Sequence, residues 1–182
     1  MKNNKIYVGI FLILLILILA FKLPKTLSRF SSTLSSSANG GIAFYVIEPE
    51  YQTAEIKLDE MVPREEEYKY YFSVSNYNKE KRLETNAEYN IVIRTTTNLN
   101  LEYKLYKKDK TEDILIEKNI EIDEDGTYFN IMKTEPENFS FKEDKKNEYI
   151  LSIKFPIEYI AYDYQDVIES VEIIIDSSQQ AD

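Results

Sequence analysis

The 182-residue chain contains no histidine and no cysteine. Without imidazole or thiolate there is no Ser-His-Asp or Cys-His nucleophile system and no His-Glu-x-x-His zinc protease. Metal sites built on thiolate or imidazole are excluded on the same ground. The missing cysteines also remove disulfides, a condition compatible with either redox compartment. Glycine is scarce, with four residues, so turns must rely on Asn, Asp and Lys. No long stretch carries a 3.6-residue apolar period, so amphipathic helices are not expected.

Acidic residues are plentiful, 32 against 22 basic. Residues 1–41 hold five basic and no acidic residues, which leaves 17 basic against 32 acidic in residues 42–182, a net of −15. That charge repels phosphate backbones, so nucleic acid is not an expected partner, and it helps keep a strand-rich domain soluble. Two carboxylates are enough for glycoside hydrolysis. With 32 acidic residues, however, some pairs fall close by chance, and solvated faces are the simpler reading. Asp123-Glu124-Asp125-Gly126 resembles part of a calcium loop but lacks the fifth-position ligand and the terminal bidentate Glu. It reads as a turn, with calcium binding by Asp123 and Asp125 left open. No catalytic, cofactor-binding or metal residue is assigned, no cofactor is expected, and the chain reads as non-enzymatic.

One uncharged apolar run stands out, residues 6–21. As a helix its 16 residues rise roughly 24 Å, a little short of a bilayer's hydrocarbon core. Lys5, Lys22 and Lys25 extend the span by snorkelling. Ile6, Val8, Ile10, Phe11, Leu12, Leu15, Leu19 and Phe21 are the anchor residues, and the lipid bilayer is their partner. Lys2 and Lys5 supply a basic leader, but Ala20-Phe21-Lys22-Leu23-Pro24 is a poor cleavage site. Residues 1–24 therefore read as an uncleaved single-pass anchor, with a removed signal peptide as the alternative. Flanking basic residues do not fix the orientation. A first apolar segment usually acts as an export signal, which places the domain on the outer side of the cell membrane, or in the medium if cleavage occurs.

Residues 25–41 are a serine-rich spacer ending in Asn39-Gly40-Gly41. Phe30 and Leu34 are candidates for docking onto the domain or a neighbour. From residue 42 onward the pattern has period two. Strands are expected at 42–47, 53–58, 68–76, 88–97, 99–105, 114–122, 128–132, 148–155 and 167–175. Ala54, Ile56 and Leu58 share a face, as do Tyr68, Tyr70, Phe72 and Val74, and Tyr149, Leu151, Ile153 and Phe155. Residues 64–67 read as a solvated charge run and 135–146 as a loop into which Phe139 and Phe141 dip. Residues 159–164 read as an aromatic loop, with Tyr159, Tyr162 and Tyr164 as candidate contact residues. Such short strands without helices imply an all-β fold, an antiparallel sandwich of jelly-roll or Ig-like type over residues 42–177, with a polar tail at 178–182.

Several short patterns resemble those of the TasA/camelysin family of exported bacterial proteins. Arg29-Phe30-Ser31-Ser32 follows the apolar leader. Residues 56–65, Ile-Lys-Leu-Asp-Glu-Met-Val-Pro-Arg-Glu, are similar to the family's apolar-x-Leu-x-x-apolar-x-Pro-Gly-Asp pattern, with Arg64 in place of its Gly. Phe72-Ser73-Val74-Ser75-Asn76 is similar to its aromatic-x-apolar-x-Asn, and residues 171–179 to its closing strand. The resemblance implies a jelly-roll-like sandwich, export, and a structural role at the cell surface or in a biofilm matrix. Some relatives are labelled metallopeptidases, a label a histidine-free chain does not support. The expected function is a contact module that self-associates through edge strands or binds other surface proteins, with residues 30–43 as a candidate donor. The alternative is a ligand- or carbohydrate-binding surface module.

Overall fold

The structure, a computed structural model, describes residues 31–35, 42–47, 51–56, 58, 61–159 and 169–180, the first of these stretches as backbone alone. The anchor residues, Phe30, Tyr162, Tyr164 and the side chain of Leu34 lie outside the described residues. Among those described, no helix is long and apolar enough to cross a membrane.

The described chain is all-β. Its strands are β1 (Ser31–Ser35), β2 (Ile42–Tyr45), β3 (Tyr51–Ile56), β4 (Tyr68–Ser75), β5 (Ala87–Thr96), β6 (Glu102–Lys107), β7 (Leu115–Ile122), β8 (Tyr128–Thr134), β9 (Glu137–Phe139), β10 (Lys146–Lys154) and β11 (Val171–Gln179). A single 3-10 turn, Ile157–Tyr159, follows β10. Seven strands form one sheet in the order β1-β3-β11-β5-β8-β7, with β9 also on β5. Four form the other, in the order β2-β4-β10-β6. Most pairs are antiparallel, but β1 runs parallel to β3 and β2 parallel to β4. The antiparallel reading from the sequence holds for the other pairs and is corrected at these two. Another strand intervenes in the chain between the members of each parallel pair, so no hairpin dictates their direction.

Alternation puts one row of the inner strands into a shared core. Ala54, Ile56, Tyr89, Ile91, Ile93, Ile173 and Ile175 come from the seven-stranded sheet. Phe44, Phe72, Val74, Leu105, Tyr149, Leu151 and Ile153 come from the four-stranded one. Phe72 stacks on Tyr149, its direct partner across the β4–β10 pair, with centroids 5.2 Å apart. The Tyr89 and Tyr149 hydroxyls meet at 2.6 Å, and Asn147 Nδ2 donates to Tyr89 Oη at 2.6 Å. This chain of polar atoms crosses from one sheet to the other inside an apolar core, where satisfied hydrogen bonds are worth most. Burial pushes the Tyr149 hydroxyl up to about 12 and also raises that of Tyr89.

The quoted motif residues turn out to be structural. Asn76, fully buried, donates from Nδ2 to the carbonyls of Ser140 (2.9 Å) and Glu143 (2.8 Å) and accepts from Lys145 N (2.8 Å). It thereby pins the loop between β9 and β10. Arg64 is not simply solvated: its guanidinium lies 3.4 Å from the Tyr68 ring centroid and donates to the carbonyls of Glu66 and Glu67. The Tyr68 hydroxyl in turn bonds both N and O of Val62 at 2.9 Å.

Other boundaries moved. Ser31–Ser35, inside the stretch read as a spacer, is a strand. The expected 135–146 loop contains β9, which buries Phe139 against Tyr89 but leaves Phe141 at the surface. The final strand runs on to Gln179, into the residues read as tail. Serine, threonine and asparagine carry these segments. They pair because a neighbouring strand offers free backbone groups, which no apolar period reveals.

Candidate functional site

The chemistry-bearing side chains are mostly consumed by the fold. Asp123, Glu124, Asp125 and Gly126 form the β7–β8 hairpin turn, with Gly126 N donating to Asp123 O at 2.9 Å. Gly126 has φ +87°, a conformation that L side chains rarely adopt. Asp125 Oδ1 accepts from Thr127 N at 2.9 Å, and that bond holds its carboxyl below the usual range. Asp123 pairs with Arg94 at 2.8 Å, and Arg94 also reaches Glu172 at 3.1 Å while lying over the Phe129 ring. Both candidate calcium carboxylates are thus engaged within the turn and with an arginine. Among the described residues, no cluster of three acidic side chains is placed to hold a metal ion.

Among the described residues, Glu169 is the one buried carboxylate. Its Oε2 accepts from Asn98 N (3.1 Å) and Leu99 N (2.9 Å), fastening the loop before β6 to the start of β11. Its Oε1 and the nearby Tyr103 hydroxyl are buried with no hydrogen-bond partner in range. Desolvation raises the Glu169 pKa, partly offset by the two backbone donors. Its carboxylate is taken up by the two loop amides, so it reads as a loop clamp.

Tyr159, the one contact tyrosine of the 159–164 loop that is described, stacks on Phe155 and accepts from Asn100 Nδ2. It is held by its own fold, and the other candidate side chains lie outside the described residues.

The sheet edges offer more. On the four-stranded sheet, the β2 edge is capped by Gln52 of β3. Tyr45 N donates to its Oε1 at 3.1 Å, and its Nε2 donates to Tyr45 O at 2.7 Å, as a passing strand would. The β6 edge is partly closed by the connection to β7, where Leu105 N donates to Asp113 Oδ1 (3.0 Å) and Ile114 N to Leu105 O (2.9 Å). On the seven-stranded sheet, β1 and β7 are the two outermost strands. In β1, Leu34 stands in register with Ala54, and Thr33 with Thr53. Strand β7 is exposed at every residue except Leu115. Sequence reasoning named residues 30–43 as a candidate donor and expected a strand at 114–122, but it did not place that strand at an edge. The alternation of Ile120 and Ile122 with Glu121 was readable, and only the topology shows that this strand is outermost.

Compared with known protein families, characterised proteins and solved structures, the chain matches none.

Proposed function

We propose that this chain is an exported, membrane-anchored surface module that works through contacts and not through catalysis, and that copies associate by exchanging strand β1. The observation that carries this reading is the parallel β1–β3 pairing. A short polar strand from the spacer fills the edge slot beside β3 through main-chain bonds. A strand held by its backbone at an open edge, with no apolar row readable in Ser-Ser-Thr-Leu-Ser, can be supplied equally by a neighbour. The resemblance to the TasA/camelysin family supports the same picture, including export and a place at the cell surface or in a biofilm matrix.

A jelly-roll arrangement is the finer reading of the fold. In an eight-stranded jelly roll the first, eighth, third and sixth strands form one sheet, and the second, seventh, fourth and fifth the other. Taking β3, β4, β5, β6, β7, β8, β10 and β11 in order, the first sheet corresponds to β3-β11-β5-β8 and the second to β4-β10-β6. Strand β7 departs from the pattern by joining β8 and not β6.

Two experiments test the proposal. Protease shaving of intact cells, with mass spectrometry of the mature amino terminus, reads location and cleavage; detection only in the cytosol would refute export. Deletion of residues 30–43 should abolish self-association of the full chain, and unchanged association would refute strand exchange.

A further inference from the structure

The displacement of β7 leaves a groove. It has a volume of about 550 Å³ and lies between the outer strands of the two sheets. Leu101, Tyr103 and Lys104 line it from the β6 side, and Lys118, Ile120 and Met132 from β7 and β8. Register places Ile120 opposite Asn130 and Ile122 opposite Tyr128. These residues share the face of Met132, which enters the core two positions further along β8. The same face that is buried in β5 and β11 therefore runs out past the four-stranded sheet. There Ile120, Ile122 and Tyr128 are 66%, 62% and 53% exposed. The opposite face of β7 carries Glu117, Asn119 and Glu121. Among the described residues, neither glutamate forms an ion pair.

An outermost strand with an apolar row on one face and carboxylates on the other is a template for one more strand. A second β7 is a poor occupant. If the joined sheets keep their faces aligned, a twofold axis at Lys118 sets Lys118 against Lys118. An axis at Asn119 sets Glu117 against Glu121, and one at Ile120 sets Glu117 against Asp123. Like charges directly opposed across strands are destabilising.

We propose that the β7 edge docks an extended segment of a different polypeptide, in which apolar residues alternate with lysine or arginine. The apolar row continues Ile120 and Ile122 over the groove toward Leu101. The basic row lies beside Glu117 and Glu121. This site is independent of β1 exchange, which occurs at the other end of the same sheet.

The test uses the full chain in detergent micelles and synthetic peptides of about ten residues, near the length of a strand. One alternates valine with lysine, a second alternates valine with glutamate, and a third replaces the valines of the first by proline. The valine–lysine peptide should bind and slow hydrogen exchange at amides 116–122. The proline peptide, equal in charge but stripped of half its N–H donors and held by its rings at φ of about −65°, away from strand geometry, should not. The double variant Glu117→Lys/Glu121→Lys should weaken valine–lysine binding about tenfold and favour the valine–glutamate peptide. Ile120→Lys should weaken binding of the valine–lysine peptide without changing protection elsewhere in the sheet. Equal binding of the proline peptide, protection confined to other strands, or indifference to the charge reversal would each overturn the proposal.

Discussion

Strands β11 and β7 belong to one sheet, carry the same residue type on the same face, and have opposite fates. Ile173 and Ile175 of β11 are fully buried, whereas Ile120 and Ile122 of β7 stand mostly in solvent. Ile120 and Ile122 flank a glutamate, Ile173 and Ile175 flank another isoleucine, and both strands have a strand beside them. What separates them is the opposing layer. The four-stranded sheet covers β11 and β5 and ends at β6, short of β7. Burial is thus decided by which part of a long sheet a short sheet covers. A side chain's hydrophobicity does not decide it alone.

The largest effect is expected in the core. Ile173→Ala should destabilise the fold by about 3 kcal/mol, through lost transfer energy and the cavity left behind. Ile120→Ala should change stability by no more than about 0.5 kcal/mol, because it removes little buried area. Urea denaturation of the two variants in parallel measures both. Equal losses would mean that β7 is covered.

A smaller effect is expected where polar groups hold the loops that end the strands. Asn76→Ala strips partners from two carbonyls and one amide in a buried loop, at a cost of about 2 kcal/mol by the same denaturation measurement. Hydrogen exchange in residues 140–145 should rise with it. The exposed Arg82–Asp144 pair, at 3.3 Å between the β4–β5 connection and the same loop, should contribute well under about 1 kcal/mol.

The pH dependence of Glu169 is smaller again and has a definite sign. Burial raises its folded pKa above the ordinary glutamate value. The protonated form is therefore favoured in the folded state. Its contribution to stability is complete below the ordinary value and fades as pH rises through the folded one. Glu169→Gln should lack that decline, so the variant gains on the parent as pH climbs through this window. A constant difference between the two across the window would show that the carboxyl is not desolvated.

Much of the inner architecture was legible in the sequence. The rows Tyr68-Tyr70-Phe72-Val74 and Tyr149-Leu151-Ile153-Phe155 face inward as their alternation demands. Asp123-Glu124-Asp125-Gly126 makes the turn its residues favour. Three things could not be read. Ser31–Ser35 has no apolar row to announce a strand. The directions of β1 and β2 follow from connections whose course the residues do not encode locally. The placement of β7 beside β8 depends on a hairpin winning over the β6 edge, a competition between two pairings of similar local character. Both features of functional interest, the spacer strand and the uncovered β7 face, arise from these non-local choices.

Association by strand exchange requires β1 to be an edge strand that one copy can lend to another. Because the chain has no cysteine, a disulfide can report this directly. Thr33 and Thr53 are partners in the β1–β3 register, close enough for a disulfide when both are replaced by cysteine. Full chains carrying only Thr33→Cys should be mixed with full chains carrying only Thr53→Cys and oxidised. Strand exchange predicts a covalent dimer containing one chain of each kind. If the mixture yields no such dimer, while a single chain carrying both substitutions closes its own disulfide, β1 stays with its own chain and the account is contradicted.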